Sequence, residues 1–117
     1  MQRDRQRLLD ISIAAAQIGR YIEFKSEAEF CDNDMLHDAV IMQLIVVGES
    51  VARLSAEFRG KHPEIDWRNI VNLRHRLAHD YFGTDLHTAW DIATVHLPTL
   101  NAQLTSILAT EFPDDGG

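Results

Sequence analysis

The chain has 117 residues, 45% of them hydrophobic and 25% charged, with a net charge of −7. That is enough for one hydrophobic core and one domain, with little to spare. Overall acidity excludes general coating of nucleic acid, so any contact with RNA must be local. The lone Cys31 excludes an intrachain disulfide and a four-cysteine zinc site, and it suits a reducing cytosol.

The charged start, Met-Gln-Arg-Asp-Arg-Gln-Arg, does not read as a signal peptide. Uninterrupted apolar runs such as Leu44–Val47 are too short to span a bilayer, and a cytoplasmic protein without membrane contact is expected. Segment 4–24 carries Leu8, Ile11, Ala15, Ile18 and Ile22 at steps of three and four, one stripe of a helix. Ser26-Glu-Ala-Glu fits the cap of a short turn. Asp32 or Asn33 then caps a run through Leu36, Val40, Leu44, Val47, Val51, Leu54 and Phe58. The spacing predicts one long helix of roughly 25 residues, ended by Gly60 and Pro63.

Asp66 is placed as N-cap of the next helix, with Trp67, Ile70 and Leu73 or Leu77 facing inward. Gly83 breaks the chain, and Thr84 or Asp85 opens another helix through Leu86, Trp90, Ala93 and Leu97. Pro98 suits the first turn of a further helix or a kink, followed by Leu100, Leu104, Ile107 and Leu108. The pattern ends at Phe112, so residues 1–112 are expected to form a single domain and 113–117 a frayed tail. With no strand-like alternation, the expected fold is an all-α, up-and-down bundle of four to five helices.

Chemistry concentrates between Asp66 and Asp85. Arg74, His75, Arg76, His79 and Tyr81 fall close together, and five of the eleven Lys and Arg residues lie between Arg59 and Arg76. Against Glu64, Asp66 and Asp80, the 59–81 window has a net charge of +2 in a chain of −7, which points to a site for an anion. On a helix, Arg74 and Tyr81 share a face and His75 and His79 share another, but Arg74 and His79 stand about 140° apart. Either the helix stops near His79 and the chain turns back, or two copies of the helix meet and each site draws on both.

Cleaving RNA through its own 2′-hydroxyl needs a base, an acid for the leaving 5′-oxygen, and positive charge at phosphorus. Histidine serves as either proton-transfer group, and arginine presents a permanent fork to phosphate oxygens. No metal or other cofactor is required. Other readings of these residues exist. Arg74 and His79 would suit a solvated face or the C-terminal end of a helix, where cations complement the dipole. His75 and His79 have zinc-chelating spacing, but Arg76 stands where a metalloprotease needs glutamate. Tyr81 would serve as a half-buried aromatic, and Glu49 as a structural carboxylate.

Arg74-x4-His79-x-Tyr81, with His75 directly after the arginine, resembles the signature of the HEPN superfamily of ribonucleases. Within it the chain is most similar to HepT-like toxins of type VII toxin–antitoxin systems, which pair with an MntA-like nucleotidyltransferase antitoxin. The segment Leu44-Ile-Val-Val-Gly-Glu-Ser-Val-Ala-Arg-Leu-Ser55, the Pro63…Trp67-Arg68 entry, the His79-Asp-Tyr-Phe-Gly83 exit, Trp90 and Leu97-Pro98 also fit. The resemblance implies a homodimeric, metal-independent endoribonuclease with an interface active site. In it Arg74 and Arg76 bind phosphate, His79 transfers protons and His75 assists. It further implies that Tyr81 accepts AMP from the antitoxin. An alternative of another class is a non-catalytic helical partner of a nucleotidyltransferase.

Overall fold

Leu8, Ile11, Ala14 and Ile18 are all 2% exposed or less, and they define the inner face of the first helix, α1 (Gln2–Ile22). Ala14 replaces the expected Ala15 at the centre, and Ala15 and Ile22 are half-buried at the edge of the same stripe. The computed structural model describes residues 2–79 and 85–113, with all side chains in those spans except Gln2, Arg74, Arg76, Ala78 and His79. The expected tail beyond residue 113 lies outside the described residues.

A short helix, α2 (Glu27–Asp32), follows a full capping box: Glu29 N–H donates to Ser26 Oγ at 3.1 Å, and Ser26 N–H donates to Glu29 Oε1 at 3.1 Å. It delivers Phe30 into the core against Trp90, with ring centroids 5.2 Å apart. Asn33 then caps α3 (Asp34–Ala52) by accepting from Leu36 N–H at 3.0 Å. Val40, Ile41, Leu44, Val47 and Val51 make α3 the middle of the core, packed on α1. By length and composition alone α3 would cross a membrane, with a mean hydropathy of 1.4, but its apolar face is spent inside the bundle.

The expected long helix through Phe58 is in fact two. The chain turns at Arg53–Ser55, and α4 (Ala56–Lys61) starts anew. The cause is Asp4, only 2% exposed on α1. Its carboxylate accepts from Ser55 N–H at 2.8 Å and from Ser55 Oγ–H at 2.7 Å. That holds Ser55 extended (φ −65, ψ 151), where its Oγ accepts from Phe58 N–H at 3.0 Å and caps α4. Leu54 and Phe58 are still buried, so the hydrophobic period passes through the break unaltered.

Helix α5 (Trp67–His79) packs on α3. Asp85 caps α6 (Leu86–Asp91), accepting from His87 N–H at 3.0 Å and Thr88 Oγ1–H at 2.8 Å. A π-helical turn at Ile92–His96 leads directly into α7 (Leu97–Glu111). Pro98 stands in the first turn of α7. It has no N–H to give and its ring crowds the preceding turn, which accounts for the wider turn before it. The four long helices α1, α3, α5 and α7 form the expected all-α bundle, and no strand occurs among the described residues.

Candidate active site on helix α5

Two contacts fix the start of α5. Asp66 Oδ1 accepts from Asn69 N–H at 3.3 Å, as an N-cap does. The Trp67 indole N–H is shared between the carbonyls of Arg59 and His62, each at 3.0 Å, which ties the first turn of α5 to the end of α4. Leu77 is 5% exposed, and Ile70, Val71 and Leu73 are partly buried, so the inner face of α5 lies on the core as expected.

The predicted site residues Arg74, His75, Arg76 and His79 all fall in the C-terminal half of α5, which remains helical through His79. The side chains of Arg74, Arg76 and His79 lie outside the described residues, and Tyr81 does so entirely. His75 is exposed. A continuous helix sets residues 74 and 79 about 7.5 Å apart along the axis and about 140° around it. Arg68, Asn72 and His75 are all exposed and follow one another at steps of four and three, and residue 79 is the next position of that stripe.

Other polar groups lie on neighbouring elements. Glu49 is ion-paired with Arg53 at 3.2 Å and lines, with Arg7 and Asp10, a cleft of about 440 Å³ between α1 and α3. Ser50 is 6% exposed. Burial pushes the Cys31 thiol up, helped by the negative charges of Glu27, Asp32 and Asp85, so it is poorly suited to act as a nucleophile. Among the described residues no group of three His, Cys, Asp or Glu is placed to hold a metal ion.

Two histidine contacts have no signature in the sequence, because the partners are distant along the chain. His62 Nε2 meets Glu111 Oε2 at 2.6 Å, joining the α4–α5 corner to the end of α7. His87 Nδ1 lies 2.9 Å from Glu27 Oε2. That hydrogen bond and charge raise the His87 pKa above its ordinary value. Beside α5, a groove of about 420 Å³ is floored by Leu44, Ile70 and Leu100 and edged by Glu64, Asp66 and Asp91. Among the described residues, no Lys or Arg lines it.

The family of HepT-like proteins, described as "Ribonuclease HepT-like", matches residues 11–107, which includes all of α5. The chain belongs to the HepT-like ribonuclease family. It is 34% identical over 83 residues to a "Putative RNase" of Caldanaerobacter subterraneus subsp. tengcongensis, covering 71% of this chain and 74% of that protein. It is 33% identical over 84 residues to a "Probable ribonuclease HepT" of Thermococcus cleftensis, covering 68% and 76%. A "Gamma-glutamylcyclotransferase and putative RNase" of Methanocaldococcus jannaschii is 33% identical over 91 residues. That match takes in 78% of this chain but 41% of the longer protein. No solved structure is significantly similar. HepT-like membership accords with the all-α bundle and with the motif that α5 carries.

Proposed function

We propose that this HepT-like chain is a metal-independent endoribonuclease that acts in the cytoplasm as the toxin of a toxin–antitoxin pair. One observation carries the reading. The Arg74–His79 motif occupies a single helix, anchored at its start by Asp66 and Trp67, inside a stretch matched by a ribonuclease family. A rigid helix suits catalysis because reacting groups must keep their geometry.

In the reaction proposed, the RNA 2′-oxygen attacks the adjacent phosphorus while its proton passes to a base. The bond from phosphorus to the 5′-oxygen breaks, that oxygen takes up a proton, and a 2′,3′-cyclic phosphate remains. His79 transfers protons. Arg74 stabilises the charge that builds on the phosphate oxygens, Arg76 adds positive charge, and His75 orients or assists. Because Arg74 and His79 are splayed on one helix, the working unit is a homodimer whose α5 helices meet near the twofold axis. Each site then draws on both chains.

Tyr81 is the proposed control point. An MntA-like nucleotidyltransferase, using ATP and magnesium, would transfer AMP to its hydroxyl with release of pyrophosphate. The added phosphate neutralises the cationic site, and the adenosine blocks it. Intact-mass spectrometry should show steps of one AMP on the wild type and none on Tyr81→Phe.

Expression in a bacterial host tests the toxin reading. Growth arrest that His79→Ala abolishes, at equal protein level, is the expected result. Growth arrest that persists in His79→Ala would favour a helical partner acting without catalysis.

A further inference from the structure

The catalytic motif accounts for the far end of α5 but not for the cations gathered at its start. Asp4 joins α1 to Ser55 through contacts of 2.8 and 2.7 Å, which brings Arg3 and Arg5, on either side of Asp4, to the α3–α4 corner. The Trp67 indole N–H reaches the Arg59 carbonyl at 3.0 Å, which brings Arg68 to the end of α4, where Lys61 is exposed. Among the described residues, none of Arg3, Arg5, Arg59, Lys61 and Arg68 forms an ion pair. The Arg59 Nε–H is buried with no acceptor among the described residues.

Most nearby carboxylates are engaged. Asp4 is held by Ser55, Asp66 caps α5, and Glu64 lies 3.5 Å from His62. Glu57 remains exposed on α4. Elsewhere Arg7 pairs with Asp10 at 3.5 Å and Arg53 with Glu49 at 3.2 Å. From Arg68 the exposed stripe Asn72–His75 carries no carboxylate and leads, about 16 Å along the axis, to residue 79.

We propose that the Arg3/Arg5–Arg59/Lys61–Arg68 cluster and the outer stripe of α5 form a track that holds the phosphate backbone of single-stranded RNA beside the cleavage point. The inference rests on the ribonuclease reading and extends it to substrate recognition. Arginine and lysine on this track contact phosphates, which set register without reading bases. The described residues of the track include no exposed Phe, Tyr or Trp on which bases would stack. Recognition at this end is therefore tolerant of sequence and favours RNA long enough to reach from residue 79 to α4.

The test uses full-length protein carrying His79→Ala and a fluorescent single-stranded RNA of mixed sequence, titrated by anisotropy at several salt concentrations. Arg3→Gln with Arg5→Gln, and Arg68→Gln with Lys61→Gln, should each weaken binding similarly for different sequences. Each pair should lower the slope of log K against log salt by about 0.7 per cation removed. Arg20→Gln, on the opposite end of α1, should leave the slope as it was. An unchanged slope in both double variants, or an equal fall in Arg20→Gln, would overturn the track. Failure of the catalytic reading shows separately, as absence of cleavage of the same labelled RNA by the wild type.

Discussion

Replacing Asp4 by alanine should cost more stability than any other change at a charged position on α1. Its carboxylate is 2% exposed and accepts two hydrogen bonds from Ser55, at 2.8 and 2.7 Å. Hydrogen bonds to a charged group contribute about 1.5–3 kcal/mol each, and their loss also leaves the Ser55 N–H without an acceptor. The two bonds share one carboxylate and are not additive, so about 3 kcal/mol is expected. With a urea m-value of about 2 kcal/mol/M, the midpoint should fall by about 1.5 M. Ser55→Ala removes the hydroxyl contact and the Phe58 cap but keeps the backbone bond to Asp4. The double variant should therefore lose less than the sum of the two, by about 1–2 kcal/mol. An Asp4→Ala midpoint within about 0.3 M of wild type would refute the claim that this contact breaks α3 from α4.

Histidine titration followed by NMR should place the His87 midpoint above its ordinary value, and Glu27→Gln should return it. A raised folded-state pKa means that the contact stabilises below the unfolded value and fades as pH rises through the folded one. Trp67→Phe keeps an aromatic ring but loses the bonds to Arg59 and His62. Chemical denaturation should register a loss of about 2 kcal/mol, and RNA cleavage should weaken as α5 loses its anchor. Arg74→Lys should depress cleavage severely, because an ammonium cannot reproduce the planar fork; activity near wild type would remove phosphate clamping from its role. Mixing Arg74→Ala with His79→Ala subunits should restore part of the activity, whereas strictly additive inactivity would place each site in one chain.

Much of this architecture is legible from local signals. The capping chemistry of Ser26, Asn33, Asp66 and Asp85 is set by side chains within three residues of the groups they satisfy, and all four cap as the spacing predicts. The apolar stripes likewise follow from a 3.6-residue period. The break between α3 and α4 is not legible, because Ser55 responds to a carboxylate 51 residues away. The same limit hides His62–Glu111 and His87–Glu27, pairs that only the packed bundle brings together. At the candidate site, the sequence places Arg74 and His79 on α5 and their divergence follows from helix geometry alone. In the proposed homodimer their assembly into one cleft would need a second chain, and a single sequence carries no direct signal for that.

The central claim is that the α5 motif cleaves RNA without a metal. The most direct measurement is cleavage of purified RNA in the presence of EDTA by the wild type, Arg74→Ala and His79→Ala, with circular dichroism to establish that all three keep their helices. The account predicts cleavage by the wild type, 2′,3′-cyclic phosphate ends on the products, and loss of at least about 100-fold in both variants. Full cleavage by His79→Ala, or wild-type cleavage that EDTA abolishes, would contradict it.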